Sequence, residues 1–531
     1  MHNDLNPDNV VLDGEVLRGA FDFGDMLHAP RVVDLAVAAA YQLGTAPHET
    51  IEQFVDGYER RSPLERAERA AIPSLVALRL CQSIVISSWR RKLDPGNAAY
   101  VGADIAPAAA SLARFGGRAT LPNRALRQRR SAVLAPGLRL SYQEPLEVVT
   151  AHGVHVTDAS GKVYLDAYNN VVQLGHGNEE IAAILGAQVR RLNTNTRYLT
   201  EAVVECAERL VGLLPDELDT CLFTNSGSEA NDLALRMARS VTGNHGFMIT
   251  PNAYHGSTAL TYALSPEEHL GSTLADWVTI TAAPDSALSG ADPSRAIAAL
   301  AGRGFGLAAG IVDTVFSSDG IHDVSAGYLD RFAEACHEAG GLYVADEVQA
   351  GLGRVGRRFW GFAASDVVPD IVTLGKPLGN GYPIGAVVTR REIAERFAAR
   401  DYFFSTFGGS SVAAAVASAV MRLTVDCDLA GHASEVGGQL RQVLSSCANR
   451  TPWLDEARGP GMFIGMPVRD YDGVTASVRA ASVVDRLRHE GSLIGRTGAG
   501  LSVLKIRPPL VFGQSDTIEL GAMLNTALTD A

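Results

Sequence analysis

The chain has 531 residues, of which 47% are hydrophobic and 20% charged, and its formal net charge is −13 at pH 7. This composition is typical of a globular protein with room for about two to four domains. The acidic balance argues against a nucleic-acid partner.

The six cysteines are scattered and include no C-x-x-C pair. That distribution favours reduced thiols in a cytoplasmic protein over a disulfide or zinc framework, and no metal site is predicted. We recognise no secretory signal and no apolar run long enough to cross a bilayer, so no membrane association is expected.

Two polar motifs near the start flank the apolar run at Val10, which predicts a strand. The first has the pattern H-x-D-x-x-x-x-N and contains Asp4 and Asn9, and the second, of the D-F-G type, contains Asp22. In kinases the first aspartate accepts the proton of the substrate hydroxyl, and the other two residues hold metal ions. The motifs resemble those of the aminoglycoside phosphotransferase and choline kinase group, which implies these roles here.

A kinase of that group also needs a glycine-rich loop and an ATP-binding lysine upstream of these motifs. Neither stands before Met1, so residues 1–115 are interpreted as a partial phosphotransferase domain, a kinase C-lobe without kinase activity. The native chain either extends further or has lost that activity, and both remain open. Residues 30–115 are predicted to be helical, with a core helix from Leu75 to Trp89 that has Pro73 at its start.

Residues 116–139 are rich in glycine, proline and arginine and are predicted to be a solvated linker. From 140 onward, alternating residues up to Asp166 predict a hairpin, and Glu201–Leu214 predicts an amphipathic helix. Between 215 and 426, strand and helix patterns alternate, which indicates a mostly parallel sheet covered by helices. The predicted elements of this large domain are Cys221–Thr224, Glu229–Arg239, Phe247–Thr250, Leu307–Phe316, Tyr328–Ala339, Leu342–Ala345 and Asp370–Leu374.

After this region a long helix that includes Val436 leads into a small α+β domain, formed by residues 140–214 and 427–531. Polar residues stand where strands of the large domain end: Asp346 follows one strand, and Lys376 follows another. Ligands of parallel sheets bind at the carboxyl ends of the strands. Pyridoxal phosphate (PLP) needs a lysine for its Schiff base and an acid opposite its pyridine nitrogen. Taken singly, either residue fits a surface lysine or a capping aspartate.

Two turns rich in glycine and hydroxyl groups add to this pattern. Ser226-Gly-Ser opens a helix after a strand, so its free backbone N–H groups and the helix dipole form a phosphate cup. Ser405-Thr-Phe-Gly-Gly is a second turn of this kind. Together with Asp346-Glu-Val-Gln and Gly375-Lys, these motifs resemble the class III aminotransferases, a PLP family of the aspartate-aminotransferase fold, over roughly residues 140 to 530.

The resemblance implies a role for each residue of the site. Lys376 is the expected Schiff-base lysine and proton carrier, and Asp346 is the expected partner of the pyridine nitrogen. A plain loop histidine stays open for His255, and a helix-terminal acid stays open for Glu229. The expected cofactor contacts are Gly227 and Ser228 at the phosphate, Tyr254 on the ring face, His255 beside it, Gln349 at the 3-oxygen, and Thr406 from a neighbouring subunit, which implies a homodimer.

Many class III aminotransferases carry a carboxylate-binding arginine three residues before the first proline of the C-terminal Pro-Pro-Leu. Here that position is Lys505, a point charge that suits a phosphate as well as a carboxylate. This lysine and the Asn-Thr-Arg-Tyr-Leu run around Arg197 resemble the phospho-lyase branch, which includes ethanolamine-phosphate and 5-phosphohydroxylysine phospho-lyases. Ser411 stands where that branch often has proline.

The resemblance therefore implies elimination of phosphate from a phosphorylated amino alcohol or hydroxy-amino acid, giving an aldehyde or keto product, ammonia and phosphate. Arg197 and Lys505 are the expected contacts of the leaving phosphate. An ordinary class III aminotransferase remains the alternative reaction. A non-catalytic scaffold built from decayed enzymes is the alternative from another class.

Overall fold

The computed structural model describes residues 9–13, 16–20, 22, 30–42, 47–94, 105–115, 124–269, 273–284, 292–324 and 327–529. By packing, the chain divides into two units. The first comprises residues 1–147 with 158–161, and the second comprises 148–157 with 162–531. The predicted linker 116–139 thus belongs to the first unit, and the predicted domain boundaries stay predictions.

The first unit is mainly helical and contains one antiparallel hairpin. The strand predicted at Val10 is confirmed. Its core is formed by residues of four helices, including the fully buried Ile51, Val55, Ile72 and Val76. Its elements are β1 (Val10–Asp13), β2 (Val16–Ala20), α1 (Arg31–Ala40), α2 (Pro47–Glu59), α3 (Arg66–Leu93), α4 (Ile105–Phe115) and α5 (Arg124–Val133).

Helix α3 corrects the predicted helix start. It begins at Arg66, and Pro73 lies inside it rather than at its start. The carboxylate of Glu68 accepts a hydrogen bond at 2.8 Å from the backbone N–H of Glu65, which caps the helix about two turns before the proline. Pro73 removes one backbone hydrogen bond, but its neighbour Ile72 is fully buried in the core, and this packing keeps the helix continuous.

Helix α3 also corrects the expectation about apolar runs. Its residues Ala67–Leu93 are long and apolar enough to cross a bilayer, with a mean hydropathy of 1.6 over the best window. One such helix does not establish a membrane span, because core helices of soluble proteins can be equally long and apolar. Part of α3 packs on α1 and α4 within the first unit.

The predicted linker contains helix α5, which the sequence analysis did not anticipate. The helix carries the arginine cluster, and the side chains of Arg127 and Arg129 are exposed. Arg130 donates a hydrogen bond to the carbonyl oxygen of Leu138 at 2.6 Å. The solvated basic face is therefore observed, but on a helix rather than on an irregular linker.

The second unit contains a seven-stranded sheet, two smaller sheets and the helices that cover them. Its strands are β3 (Val148–His152), β4 (His155–Asp158), β5 (Val163–Asp166), β6 (Thr220–Thr224), β7 (Gly246–Ile249), β8 (Val278–Ile280), β9 (Leu307–Asp313), β10 (Leu342–Asp346), β11 (Ile371–Leu374), β12 (Gly385–Thr389), β13 (Ile464–Pro467), β14 (Ser492–Leu493), β15 (Gly495–Thr497) and β16 (Val503–Ile506). Its helices are α6 (Glu179–Arg191), α7 (Glu201–Val211), α8 (Gly227–Thr242), α9 (Ala259–Ala263), α10 (Pro293–Gly302), α11 (Tyr328–Glu338), α12 (Arg391–Ala398), α13 (Ser411–Asp426), α14 (Leu429–Ala448), α15 (Ala476–Glu490) and α16 (Gln514–Thr529).

The large sheet has the strand order β6-β12-β11-β10-β9-β7-β8. Only β12 runs antiparallel to its neighbours, so the predicted mostly parallel sheet is confirmed. Strands β8 and β12 were not predicted. Strand β9 ends at Asp313, earlier than predicted, and Phe316 beyond it has a left-handed φ of 54°.

Alternate residues of the central strands pack on opposite faces of this sheet. Val344 joins the core under helix α8, whereas Tyr343 and Ala345 join the core under α11 and α13. The sheet is therefore the middle of three layers, and only the strand ends are free to carry polar groups.

The two small sheets have the orders β14-β5-β4-β3 and β13-β16-β15. The predicted hairpin corresponds to β4 and β5, which pair antiparallel from His155 opposite Leu165. The long helix predicted around Val436 is α14. The last helix, α16, was not predicted.

Candidate active site

Polar residues lie at or next to the ends of three neighbouring strands, at the same edge of the large sheet. Asp346 ends β10, and its parallel neighbours place Asp313 of β9 and Thr373 of β11 beside it. Lys376 follows β11 by two residues. The expectation that Asp346 and Lys376 meet at the carboxyl ends of the strands therefore agrees with the register of the sheet.

The carboxylate of Asp346 is 4% exposed and is held by three donors. One of its oxygens accepts hydrogen bonds from Asn231 Nδ2 and His255 Nδ1, both at 2.8 Å. The other accepts the backbone N–H of Val348 at 3.1 Å. Because a carboxylate only accepts, Nδ1 of His255 carries the proton. These contacts fix the direction in which Asp346 can meet a ligand.

Asn231 is a residue of the site that we did not predict. It lies on α8 and is 1% exposed. Besides binding Asp346, its Nδ2 donates to the carbonyl oxygen of His255 at 2.8 Å, and its Oδ1 accepts from Thr373 at 2.5 Å. It thereby joins α8, β10 and β11. Its position five residues after Ser226, on the buried face of the helix, was the only sequence signal.

Lys376 is the first residue of a short 3₁₀ turn, and its φ is 33°. The pKa of its amine is lowered to about 8, mainly by burial and in addition by the charge of Arg507, while Asp346 and Asp313 act in the opposite direction. A Cβ at Gly375 would lie 2.8 Å from the backbone nitrogen of Gly227. That close approach of two backbones brings Lys376 beside the start of α8.

Helix α8 forms the predicted cup. The hydroxyl of Ser226 caps it by accepting the N–H of Glu229 at 3.2 Å. A Cβ at Gly227 would lie 2.8 Å from Val348, and a Cβ at Gly256, where φ is 138°, would lie 2.6 Å from Ser228 Oγ. Glycine is therefore required at both positions, and the backbone N–H groups stay accessible.

The carboxylate of Glu229 accepts hydrogen bonds from the backbone and side chain of Asn225 at 3.0 and 2.9 Å. It therefore stabilises the turn between β6 and α8, which agrees with the alternative that Glu229 is a helix-terminal acid.

A cavity of about 280 Å³ lies between these elements. All the predicted cofactor contacts except Thr406 line it, together with residues that were not predicted. Its lining residues are Val171, Asn225, Ser226, Gly227, Ser228, Asn231, Tyr254, His255, Gly256, Asp313, Asp346, Val348, Gln349, Lys376, Gly381, Tyr382, Pro383 and Ile384.

The donor set of this cavity fits PLP. The first turn of α8 offers N–H groups for a phosphate, Lys376 has an amine that loses its proton easily, and Asp346 presents a fixed carboxylate. Tyr254 and Val348 provide flat and aliphatic walls for a ring. The buried Nε2 of His255 has no hydrogen-bond partner within the described residues, so one polar atom is left over for a ligand.

Gln349 connects this cavity to a polar network beyond it. Its Nε2 donates to the hydroxyl of Ser317, and its Oε1 accepts from Arg507. Ser317 in turn donates to Asp313. Burial raises the pKa of the Asp313 carboxyl, and the charge of Asp346 raises it further. Of the unpredicted residues, Asp313 could have been found as another acid at a strand end, whereas Ser317 and Arg507 carried no such signal.

Three predicted site residues do not line the cavity. Thr406 is exposed. Arg197 is also exposed, with its guanidinium 3.8 Å above the ring of Phe404. Lys505 is 6% exposed, and its Nζ donates to the carbonyl oxygen of Ser317 at 3.2 Å. Burial and the charge of Arg507 hold the pKa of Lys505 well below its usual range.

The kinase-like residues belong to the first unit. Asp4 lies outside the described residues. Asn9 is buried immediately before β1, and Asp22 is exposed with a φ of 61°. Their assigned roles stay predictions.

One group of metal-ligand types was not predicted. The ligand atoms of His155, Asp516 and Glu519 lie within 4.8 Å of one another, at a largely exposed position that is not part of the cavity lining. Exposed acids are often arranged in this way without a metal ion, so no role is assigned.

Known proteins resemble both parts of the chain. The aminotransferase class-III family model matches residues 140–528, and the phosphotransferase enzyme family model matches residues 1–71. The chain therefore belongs to the class III aminotransferase family, and its larger unit is that of a PLP-dependent enzyme. The predicted family, fold class and cofactor are confirmed.

Individual relatives carry the names of both predicted reactions. A Drosophila melanogaster protein named alanine–glyoxylate aminotransferase 2-like is 35% identical, over 71% of this chain and 81% of its own. The Caenorhabditis elegans ethanolamine-phosphate phospho-lyase homolog 1 is 32% identical, over 76% of this chain and 92% of its own. A solved Arthrobacter phospholyase in complex with phosphoethanolamine is 39% identical with a TM-score of 0.74, over 76% of this chain and all of that chain.

Proposed function

We propose that the chain is a PLP-dependent phospho-lyase that acts on a phosphorylated amino alcohol or hydroxy-amino acid. The observation that carries this proposal is the similarity to the Arthrobacter phospholyase solved with phosphoethanolamine, at 39% identity over the whole of that chain. With phosphoethanolamine as substrate, one water is consumed, and acetaldehyde, ammonia and inorganic phosphate are formed. The C–O bond to phosphate and the C–N bond are broken.

The residues of the cavity are suited to this reaction. Bound PLP supplies an electron sink for the electron pair that remains when the proton beside the amino group is removed. Lys376 would take that proton, and its pKa of about 8 makes the neutral amine more accessible near physiological pH than that of an exposed lysine. Asp346, held by Asn231 and His255, would pair with the pyridine nitrogen. The first turn of α8 would bind the cofactor phosphate.

The alternative is amino transfer to a keto acid. It is favoured by the Drosophila relative, whose name is that of an aminotransferase. Against it stands the lysine at the position where many class III aminotransferases have a carboxylate-binding arginine. In this chain Nζ of Lys505 donates to a backbone carbonyl oxygen, that of Ser317.

We also propose a homodimer in which a second copy completes each site. Large apolar side chains in the segments around Arg197 and Thr406 are exposed in the single chain: Leu199 is 99% exposed, Tyr402 75% and Phe407 72%. Exposed apolar patches of this kind usually mark an interface. The expected contacts of Thr406 with the cofactor phosphate and of Arg197 with the substrate depend on this second copy.

A cytoplasmic location is part of the proposal. It is supported by the six cysteines, all of which are free thiols.

The deciding experiment supplies phosphoethanolamine to the PLP-loaded protein in the absence of any keto acid. We expect phosphate, ammonia and acetaldehyde in equal amounts, and none from the Lys376→Ala variant. If turnover instead requires 2-oxoglutarate or pyruvate and yields glutamate or alanine, the lyase proposal is wrong and the aminotransferase alternative holds.

A further inference from the structure

Arg507 is a cation beside the cavity that forms no ion pair with a carboxylate of the described residues. It follows β16, and its backbone N–H donates to the carbonyl oxygen of Ala167 at 2.9 Å. Its guanidinium lies 4.5 Å above the ring of Tyr168 and donates through Nη1 to Gln349, a residue that lines the cavity. Its Nε is buried and has no partner, and no carboxylate within the described ranges forms an ion pair with it.

This placement is electrostatically unfavourable without an anion. The positive charge of Arg507 lies close enough to Lys376 and Lys505 to disfavour their protonated forms. A partly buried cation near two lysines costs free energy unless a negative group compensates it. Three carboxylates act on these lysines, those of Asp346, Asp313 and Glu267, and each accepts hydrogen bonds from donors other than Arg507. A bound anion would therefore be attracted to this position.

The neighbouring lysine is less well placed for an anion. Lys505 and Arg507 are two residues apart, a spacing that places side chains on the same side of an extended chain. Of the two, Arg507 is the one with a hydrogen bond to a described residue of the cavity lining, Gln349. Lys505 lies deeper and is bonded to Ser317. Arg507 also has the geometry that a phosphate prefers, because a guanidinium donates two parallel hydrogen bonds, and stacking on Tyr168 fixes its plane.

We propose that Arg507, rather than Lys505 or Arg197, binds the phosphate group of the substrate, and that Gln349 and Tyr168 hold its guanidinium ready. The identity of the anion as a phosphate ester rests on the proposed phospho-lyase function. The phosphate leaves the substrate as an anion, so a fixed cation at this place stabilises both the bound substrate and the departing group.

The test compares the PLP-loaded wild-type protein with Arg507→Gln, Arg507→Lys and the control Arg496→Gln. Arg496 is also a partly buried arginine of the small sheet, on β15, and its Nη1 donates to the carbonyl oxygen of Ser477 at 3.1 Å. Two quantities are measured: the KM for phosphoethanolamine, and the affinity for inorganic phosphate from the change in cofactor absorbance.

In Arg507→Gln we expect the KM to rise and the phosphate affinity to fall, each by about 10- to 100-fold, as for loss of a charge-assisted contact. Arg507→Lys retains the positive charge but not the two parallel N–H donors of the guanidinium. Its KM and its phosphate affinity should therefore lie between those of wild type and Arg507→Gln. The absorbance spectrum of the bound cofactor and the Tm should stay as in wild type. Arg496→Gln should match wild type in both quantities.

The inference is overturned if neither variant of Arg507 changes phosphate affinity by more than about twofold, if Arg496→Gln has the same effect, or if the wild-type protein does not bind phosphate. A changed cofactor spectrum with unchanged phosphate affinity would also overturn it, because Arg507 would then only position Gln349. Failure of the proposed function has a different result: wild type releases no phosphate from phosphoethanolamine, while the binding measurement still decides the role of Arg507.

Discussion

Lys376 is subject to opposing electrostatic influences. Burial and the charge of Arg507 favour its neutral amine, whereas Asp346 and Asp313 favour its ammonium form, and burial prevails with a pKa of about 8. An exposed lysine has a pKa of about 10.4. The fold therefore prepares this amine to react near physiological pH, before any ligand is bound.

This lowered pKa predicts the pH dependence of cofactor uptake. Only the neutral amine is a nucleophile, so the rate of covalent PLP attachment to the cofactor-free protein should rise with pH through about 8 and level off above it. The measurement is the growth of visible absorbance after mixing with PLP. Borohydride reduction followed by peptide mapping should label Lys376. A midpoint near that of a free lysine, or a label on another lysine, would contradict the assignment.

At the scale of elements, the start of α8 depends on the absence of a side chain at Gly227. A Cβ there would lie 2.8 Å from both Cγ atoms of Val348, which lines the cavity. Gly227→Ala should reduce the free energy of unfolding by about 1–3 kcal/mol through overpacking. Since Val348 can relieve the strain only by moving, PLP affinity should fall by about tenfold or more.

Gly186→Ala provides the control for this prediction. Gly186 lies inside α6, where an added Cβ would meet only Arg190, at 3.7 Å. Alanine is the better helix former, so this variant should be as stable as wild type or more stable by about 1 kcal/mol, with unchanged PLP affinity. Thermal unfolding and equilibrium PLP titration of both variants measure the difference. Equal PLP affinities in the two variants would exclude the proposed strain at the cup.

Ser411 ties the segment before Arg197 to helix α13. Its hydroxyl donates to the carbonyl oxygen of Leu192 at 2.9 Å and accepts the N–H of Thr194 at 3.2 Å, and its own N–H donates to the carbonyl oxygen of Thr194 at 3.0 Å. A proline here, as in many phospho-lyases of the family, would suit the first turn of a helix but would lack this last donor. In this chain, the segment is therefore attached to α13 through both the hydroxyl and the backbone N–H of Ser411.

We expect Ser411→Ala to destabilise the protein by about 1–3 kcal/mol for two lost hydrogen bonds, and Ser411→Pro to have a larger effect. Limited proteolysis should show faster cleavage between residues 192 and 199, while helix content by circular dichroism stays unchanged. In the control Ser446→Ala, the lost hydrogen bond lies within helix α14, at an exposed position. Cleavage rates that do not differ between the two alanine variants would refute this account.

At the scale of the whole molecule, the proposed homodimer predicts complementation between inactive variants. If Thr406 acts in the partner's site, hybrids of Lys376→Ala and Thr406→Ala chains contain one intact site each. Co-refolding equal amounts should then recover about a quarter of wild-type activity, because half of the dimers are hybrids with one of two sites intact. Activity and sedimentation are measured on the same sample. If the wild-type protein sediments as a monomer and is fully active, this arrangement is ruled out.

Local patterns were sufficient for much of this protein. Apolar runs with glycine-rich ends predicted the central strands of the large sheet, and the rule that ligands bind at strand ends selected Asp346 and Lys376. The order of the motifs indicated the family. These signals lie within one short stretch of chain, where spacing and residue type determine which face is buried and where an element ends.

The tertiary structure decided which side chains meet. Lys505 binds Ser317, 188 residues away, instead of facing the cavity, and Arg507 contacts Gln349 across 158 residues. Helix α3 continues past Pro73 because it is capped at Glu65 and because Ile72 and Val76, on the two sides of the proline, are buried in the core. Periodicity shows that a residue is buried but not which distant partner satisfies its charge. That partner is chosen by packing of the whole unit, because a buried polar group without one costs too much free energy.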